Sequence, residues 1–202
     1  MAETELRMTD HELLALLSMT PGDPASTALA LFGLEQHVAN DLLRQAGLTT
    51  LLVRGLAEMQ GGKVVPVQHC AVVGSVLSQA QEWLEISFTT PTSQHALFTA
   101  GSNVGAVLLG LNPYGVHEVQ PIASGPAMLA LGLHLCREYL GGAAEGLPAT
   151  AVIRRLRTGQ EDVVAQLTAV ESGDWLLRSG TERIEAAVAP AEAFGRFETA
   201  LA

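Results

Sequence analysis

The chain has 202 residues, of which 48% are hydrophobic, so it can bury a substantial core and is not expected to be disordered. The formal net charge is −10, from 11 basic and 21 acidic residues, which argues against binding to nucleic acid or to anionic membranes. No apolar run approaches the roughly 20 residues that a membrane-spanning helix needs, so membrane insertion is not expected.

The first 82 residues are predicted to be mainly helical. Thr9 and Glu12 have the spacing of a capping box, which indicates the start of the first helix. Three more helices are predicted from apolar stripes at helical spacing. They cover residues 29–46, with Gly47 as the stop; residues 49–59; and residues 73–80, after a short extended piece at 63–67.

Beyond Trp83 the apolar residues alternate, as they do in strands with one buried face. One pattern then occurs twice: four strands followed by a helix that begins at a proline. The first copy has strands at 83–88, 95–100, 104–111 and 116–122, and a helix from Pro126 to residue 140. The second copy follows a linker at 141–149 and has strands at 151–157, 163–170, 175–178 and 183–188, and a helix from Pro190.

This element order predicts an α+β fold. Two antiparallel β-meander-plus-helix units would form a pseudo-two-fold arrangement, with the N-terminal helices packed alongside. The corresponding segments are residues 1–82, 83–142 and 150–202, and together they are predicted to form one compact domain.

No catalytic motif is found in the sequence. It lacks a P-loop, a Gly-x-Gly-x-x-Gly turn after a strand and a Gly-x-Ser-x-Gly elbow. Cys70 and Cys136 are predicted to be buried free thiols, and the histidines and cysteines lack the spacing of a zinc site. We therefore expect no enzymatic activity, no cofactor and no metal. A ligand-binding or catalytic domain would need His95, His117 and Arg155 to converge on one pocket.

The charged residues of the strands are interpreted as surface groups. Arg154, Arg155 and Arg157 form a cluster, which is predicted to pair across strands with Glu182 or Glu185; the alternative is that it binds an acidic partner or a carboxylate. Glu82 and Glu85 flank Trp83 and are expected to be solvated.

The helix over residues 126–140 is apolar on several sides, which is typical of a helix buried in a core or of one that docks a partner. For the second case, the predicted partner-binding residues are Leu131, Leu135 and Tyr139, together with Pro91 and Gln94 of the loop at 91–94.

Several stretches resemble one family. They are residues 11–17 (His-Glu-Leu-Leu-Ala-Leu-Leu), Arg54-Gly55-Leu56 before a Gly-Gly turn, the meander at 83–122, and Gly173-Asp174-Trp175-Leu176-Leu177. This pattern is similar to that of the EspG family, the cytosolic chaperones of actinobacterial type VII (ESX) secretion. The resemblance implies a quasi-two-fold α+β body that binds the hydrophobic tip of an exported effector without catalysis. The chain is shorter than typical members, which implies that one helical bundle is reduced.

The expected function is thus that of a non-catalytic chaperone or adaptor for a secreted or hydrophobic partner protein. The alternatives are a structural homodimer that uses a sheet edge or the long helix, and a small-molecule-binding or enzymatic α+β domain. The N-terminus is acidic and lacks the features of a secretory signal, so a cytoplasmic location is expected.

Overall fold

A computed structural model describes residues 6–122, 128–142, 146–171, 173–180 and 184–202. It divides the chain into two compact units: unit 1 is Met1–Gln81 with Ala100–Gly125, and unit 2 is Glu82–Thr99 with Pro126–Ala202. The α+β class with antiparallel strands is confirmed in both units. Some predicted features lie outside the described residues: the helix start at Pro126, the strand start at Arg183, Glu182 and the linker residues 143–145.

The described residues of unit 1 form four helices, a 3-10 turn (Glu35–His37) and two groups of strands. The helices are α1 (Asp10–Ser18), α2 (Asp23–Leu31), α3 (Asp41–Val53) and α4 (Gln68–Ser78). The strands are β1 (Leu6–Thr9), the hairpin β2 (Ala57–Gln60) and β3 (Lys63–Pro66), the end of β5 (Gln94–Ser102), β6 (Gly105–Leu111) and β7 (Val116–Ile122). Strand β7 lies between β1 and β6, and α4 packs on β6 and β7.

Helix α1 is the centre of the core of unit 1. The predicted capping box is confirmed, since the Thr9 hydroxyl accepts from the Glu12 amide at 3.2 Å and the Glu12 carboxylate accepts from the Thr9 amide at 2.9 Å. All six residues from Glu12 to Leu17 are buried, because α2, α3, α4 and β1 surround the helix. Strand β1 was not predicted; it buries Leu6 and Met8 and pairs with β7.

The buried carboxylate of Glu12 also forms an ion pair. Its two oxygens accept from Nη1 of Arg54 at 2.8 and 2.7 Å, and Nη2 of Arg54 donates to the Arg7 carbonyl at 2.7 Å. Glu12 has no exposed side-chain surface, whereas Arg54 is 39% exposed. The pair therefore joins the start of α1, the end of α3 and strand β1.

Three predictions about the helices of unit 1 are wrong. The predicted second helix is divided into α2, the 3-10 turn and α3, and Gly47 is not a stop but lies in the middle of α3. A Cβ atom at this position would lie 1.9 Å from the carbonyl oxygen of His11, so glycine allows α1 and α3 to approach closely. The absence of a side chain serves packing here rather than helix termination.

The predicted third helix ends early, at Val53, and Met59 belongs to β2 instead. Gly61 and Gly62 both have positive φ, of 57° and 80°, as a two-residue type I′ hairpin turn requires. The hairpin pairs Ala57 with Pro66 at its open end. The glycine pair thus forms the turn between two strands. The helical spacing of Leu52, Leu56 and Met59 had indicated a helix at this place.

Unit 2 contains the start of β5, five complete strands and two helices. The strands are β4 (Glu82–Thr89), β8 (Ala149–Arg157), β9 (Val163–Ala169), β10 (Trp175–Ser179) and β11 (Ile184–Val188), and the helices are α5 (Met128–Gly142) and α6 (Pro190–Leu201). Their order is β5-β4-β8-β9-β10-β11. Within unit 2, β4 neighbours β5 and successive strands are neighbours from β8 to β11, and within unit 1 β6 neighbours β7, as the two predicted meanders require. Their pseudo-two-fold relation stays a prediction.

One face of the sheet in unit 2 is covered by helices. Leu84, Ile86 and Phe88 of β4 and Ile153 of β8 are buried on this face, with α5 against both strands. Helix α6 packs on β9 and β10 and contacts α5. Gly132 lets α5 lie close to the sheet, because a Cβ there would be 2.8 Å from Leu84 Cδ1.

We expect Glu12→Gln to lower the free energy of unfolding by about 2 kcal/mol. Glutamine keeps the length of the side chain but loses the charge-assisted hydrogen bonds that the buried carboxylate accepts from the partly exposed Arg54. The matched control is Glu185→Gln, which removes an exposed pair with Arg178 at 2.5 Å and should cost about 0.5 kcal/mol or less. Urea titration monitored by circular dichroism measures both, and equal effects would contradict the central role of Glu12.

Gly47→Ala should destabilise the protein by about 2–3 kcal/mol, because the added methyl group overlaps the backbone of α1. Gly195→Ala is the control with the opposite sign. Gly195 lies on the exposed side of α6 with open space around it, so alanine should stabilise the helix by about 0.5–1 kcal/mol. Thermal unfolding compares the two variants, and a neutral Gly47→Ala would rule out the close contact of α1 with α3.

Candidate functional site

Helix α5 carries the predicted partner-binding residues next to its buried face. The residues that face the sheet are fully buried: Met128, Gly132, Leu133, Cys136 and Leu140. Leu131, Leu135 and Tyr139 follow each other at intervals of four residues along one side of this face, and all three are half-buried. This stripe therefore lies at the edge of the core, where apolar side chains keep part of their surface exposed to solvent.

Tyr139 connects the stripe to the hairpin of β4 and β5. Its ring stacks on Phe88 at a centroid distance of 4.4 Å and an interplanar angle of 19°, and it lies edge-on to His95 at 6.1 Å. Phe88 ends the alternating pattern of β4, and His95 is the second residue of β5. The structure thus places Tyr139 beside the loop at 91–94, whereas Leu135 and Leu131 lie about 6 and 12 Å further along the helix axis.

The turn between β4 and β5 is held by its own side chains. The Thr90 amide donates to the Ser93 carbonyl at 3.0 Å, and Oγ1 of Thr90 accepts from the amides of Thr92 and Ser93. The same hydroxyl lies 2.8 Å from the Ser93 hydroxyl. Pro91 and Gln94 are exposed on this turn. The two residues predicted for partner binding are therefore presented by an ordered loop.

Phe88 and His95 were not predicted as members of this site. His95 had been singled out only as a possible catalytic group at the opening of a strand, and Phe88 only as a strand residue. The one sequence signal for Phe88 is the alternation of residues 84, 86 and 88, which places the three side chains on the same face of the strand. The structure shows that helices cover this face. Nothing in the sequence alone pairs Phe88 with Tyr139, 51 positions later.

His117 and Arg155 are each engaged by neighbours in their own unit. In unit 1, Nε2 of His117 lies 2.8 Å from Oδ1 of Asp10, and Nδ1 accepts from the Asn112 amide at 3.2 Å. The buried ring thus ties the β6–β7 turn to the start of α1. In unit 2, Arg155 donates to Glu82 at 2.6 Å and to the carbonyl of Leu201 at 2.7 Å, so it caps the end of α6.

The predicted pairing of the arginine cluster with Glu185 is wrong. Arg154 bridges Glu85 at 2.8 Å and Asp162 at 2.6 Å, and Glu185 pairs with Arg178 instead. Glu82 and Glu85 are thus not simply solvated, because β4 lies beside β8 and puts them opposite arginines. These carboxylates raise the pKa of Arg154 above its usual value, mainly through the hydrogen bond to Asp162.

A recess of 220 Å³ lies between α1 and α3 in unit 1. Ala15, Met19 and Leu48 line it, together with Asp41 and Arg44, which pair with each other. Small-molecule pockets usually have a volume of about 300–1,000 Å³ and polar groups that converge and are free to bind a ligand. This recess is smaller, and its two charged side chains bind each other. Among the described residues, no group of three or more histidine, cysteine, aspartate or glutamate side chains could hold a metal ion.

A scan against protein-family models finds no match, and a search of the curated proteins finds no significantly similar sequence. Within the part of the chain that the structure describes, no helix is long and apolar enough to cross a membrane. A functional conclusion must therefore come from the geometry of the two units.

The two cysteines are buried and unpaired, as predicted. The pKa of the Cys70 thiol is raised from 9.0 to about 11, mainly by burial and also by the Glu12 charge, with the Arg54 charge acting in the opposite direction. Burial raises the pKa of Cys136 to about 12. Both thiols are therefore protonated near neutral pH, which makes them poor nucleophiles.

We expect neither cysteine to react with iodoacetamide at pH 7.5 in the native protein, and both to react after unfolding in urea. Since the folded-state pKa values lie above those of the unfolded chain, the stability they contribute is fully present below pH 9.0 and lost as the pH rises through about 11 and about 12. Mass spectrometry of the labelled protein measures the reactivity; native labelling of Cys70 or Cys136 would contradict their burial.

Proposed function

We propose that the protein is a non-catalytic adaptor or chaperone that binds a hydrophobic or exported partner protein. This proposal rests on one observation. Tyr139 stacks on Phe88 and thereby connects the apolar stripe of α5 to the ordered β4–β5 turn. The binding surface consists of Leu131, Leu135, Tyr139, Pro91 and Gln94.

The surface has the properties of a docking site for an apolar segment. Helix α5 supplies half-buried leucines, which need little rearrangement to lose their remaining contact with water. Aromatic groups such as Tyr139 are common among residues that dominate binding energy. The turn adds a proline, which does not lose backbone freedom on binding.

The charge of the chain suits the same role. A net charge of −10 keeps the adaptor soluble and repels acidic proteins, whereas a basic or uncharged partner can approach. The resemblance to the EspG chaperones leads to a narrower version of the proposal. The partner would then be the hydrophobic tip of an effector for type VII secretion, bound in the cytoplasm before export.

The proposal is tested by affinity capture from the source organism, followed by mass spectrometry and purification of the recombinant complex. We expect a stoichiometric partner that carries an export signal. Leu135→Asp should weaken its binding at least about tenfold, because a charge replaces an apolar contact at the centre of the surface. Isothermal titration calorimetry measures this loss.

Two further variants separate binding from folding. Gln94→Arg changes an exposed position at the edge of the surface and should weaken binding without altering thermal unfolding. Tyr114→Glu, at a position 90% exposed in unit 1, is the control and should bind as the wild type does. Capture of the bait alone would refute the adaptor, whereas undiminished binding by both Leu135→Asp and Gln94→Arg would refute the site.

A further inference from the structure

His117 holds the turn between β6 and β7 through one of its ring nitrogens. Nδ1 accepts from the Asn112 amide at 3.2 Å, and Nε2 lies 2.8 Å from Oδ1 of Asp10. A backbone N–H can only donate, so Nδ1 carries no proton and Nε2 donates to Asp10. The His117 side chain is only 8% exposed, so water cannot readily replace either partner. This arrangement therefore requires the neutral form of the imidazole.

Protonation of the ring removes the acceptor at Nδ1. Both nitrogens of an imidazolium are donors, so the new N–H on Nδ1 would point at the N–H of Asn112. Two donors that face each other at a buried position both lack a partner, which is costly. The contact of Nε2 with Asp10 becomes an ion pair instead and is kept. The charged ring thus stays with α1 and loses its bond to the turn.

The β6–β7 turn keeps its own shape without His117. Oδ1 of Asn112 accepts from the Tyr114 amide at 2.8 Å, and the Asn112 carbonyl accepts from the Gly115 amide at 3.0 Å. The other end of the turn is attached to α1, because the Gly115 carbonyl accepts from the Asp10 amide at 3.1 Å. Tyr114 is 90% exposed, so its ring does not anchor the turn. The turn can therefore open at its Asn112 end while it remains attached at Gly115.

Asp10 supplies the charge that contacts the His117 ring. On the strands, Arg7 of β1 and Glu118 of β7 pair with each other at 3.6 Å. Because successive side chains of a strand point to opposite faces, this pair lies on the face opposite His117. Strand β6, the other neighbour of β7, has no titratable residue.

The titratable residues of the helices near β7 face solvent or are engaged elsewhere. On α1, His11 is exposed and the Glu12 carboxylate is bound by Arg54. On α4, which packs on β7, His69 is exposed, and the Cys70 thiol is protonated because its pKa is raised to about 11. The two polar contacts of the ring thus decide its charge, since a carboxylate favours the imidazolium and a backbone N–H at Nδ1 opposes it.

We propose that His117 is a pH-sensitive switch of the β6–β7 turn. Near neutral pH the neutral ring binds the Asn112 amide and holds the turn; in mildly acidic solution the imidazolium releases this amide and keeps Asp10. Histidine is the side chain that ordinarily changes its charge between about pH 5 and 8, so no unusual group is needed. The switch lies in unit 1, whereas the partner site proposed on α5 lies in unit 2.

The test is a titration of the wild-type protein by nuclear magnetic resonance from about pH 8 to about pH 5. Long-range nitrogen–proton correlation of the imidazole should show a proton on Nε2 alone at the upper end and on both nitrogens at the lower end. Over the same interval the Asn112 amide should lose its protection against hydrogen exchange at least about tenfold, after correction for the intrinsic pH dependence of exchange. The Gly115 amide, bonded within the turn, should keep its protection.

Two substitutions separate the roles of the two ring nitrogens. His117→Asn puts an amide oxygen near the place of Nδ1 and cannot be protonated, so the Asn112 amide should stay protected at every pH. His117→Gln reaches the place of Nε2 but offers the turn no acceptor, so this amide should exchange at least about tenfold faster than in the wild type even at neutral pH. His134→Gln, at an exposed position of α5, is the control and should leave the titration of the turn unchanged.

Three results would overturn the switch. They are a proton on Nδ1 of His117 at neutral pH, a ring that stays neutral at the acidic end, and a charged ring beside an Asn112 amide that is still protected. Because all three are read from the wild-type protein, they decide the proposal even if a variant fails to fold.

Discussion

The buried carboxylate of Glu12 is the constraint on which the described part of unit 1 depends. It accepts from the Thr9 amide and from Arg54, and Arg54 reaches on to the Arg7 carbonyl. A carboxylate without exposed surface is stable only if its oxygens are bonded and its charge is balanced. The group therefore determines where α1 begins, where α3 ends and how β1 lies beside them. Asp10, two residues before Glu12, extends the same junction to His117 and the β6–β7 turn.

The second principle of this fold is close packing at glycine positions of helices. Gly47 in unit 1 and Gly132 in unit 2 lie where a side chain would collide with a neighbouring helix or strand. In both places the missing side chain lets the apolar residues beside it fill the gap, which raises the packing density. Leu51 of α3 and Cys136 of α5 are accordingly without exposed surface. Other apolar residues of α3 and α5 lie outside the core.

The two helices consequently offer different surfaces. On α5, Leu131 and Leu135 are half-buried and lie along the same side of the helix as Tyr139, which stacks on Phe88. On α3, Leu42 and Val53 are far more exposed and lie on the side opposite the buried Gly47 and Leu51.

The sequence by itself determined the elements that have a local signal: the capping box of α1, the alternating strands of both meanders and the amphipathic α6. These follow from the side-chain periods of helices and strands, which neighbouring residues reveal. The sequence also predicted that α5 is a helix with apolar residues on more sides than the one that packs on the core. Only the tertiary structure decided that Gly47 continues α3, that residues 57–66 form a hairpin, and that Glu82 and Glu85 face Arg155 and Arg154. The continuation of α3 and the glutamate–arginine pairs depend on contacts between segments far apart in the chain, and a local pattern holds no record of which segments meet. The hairpin has a local signal in Gly61-Gly62, but the helical spacing of the apolar residues around it indicated a helix.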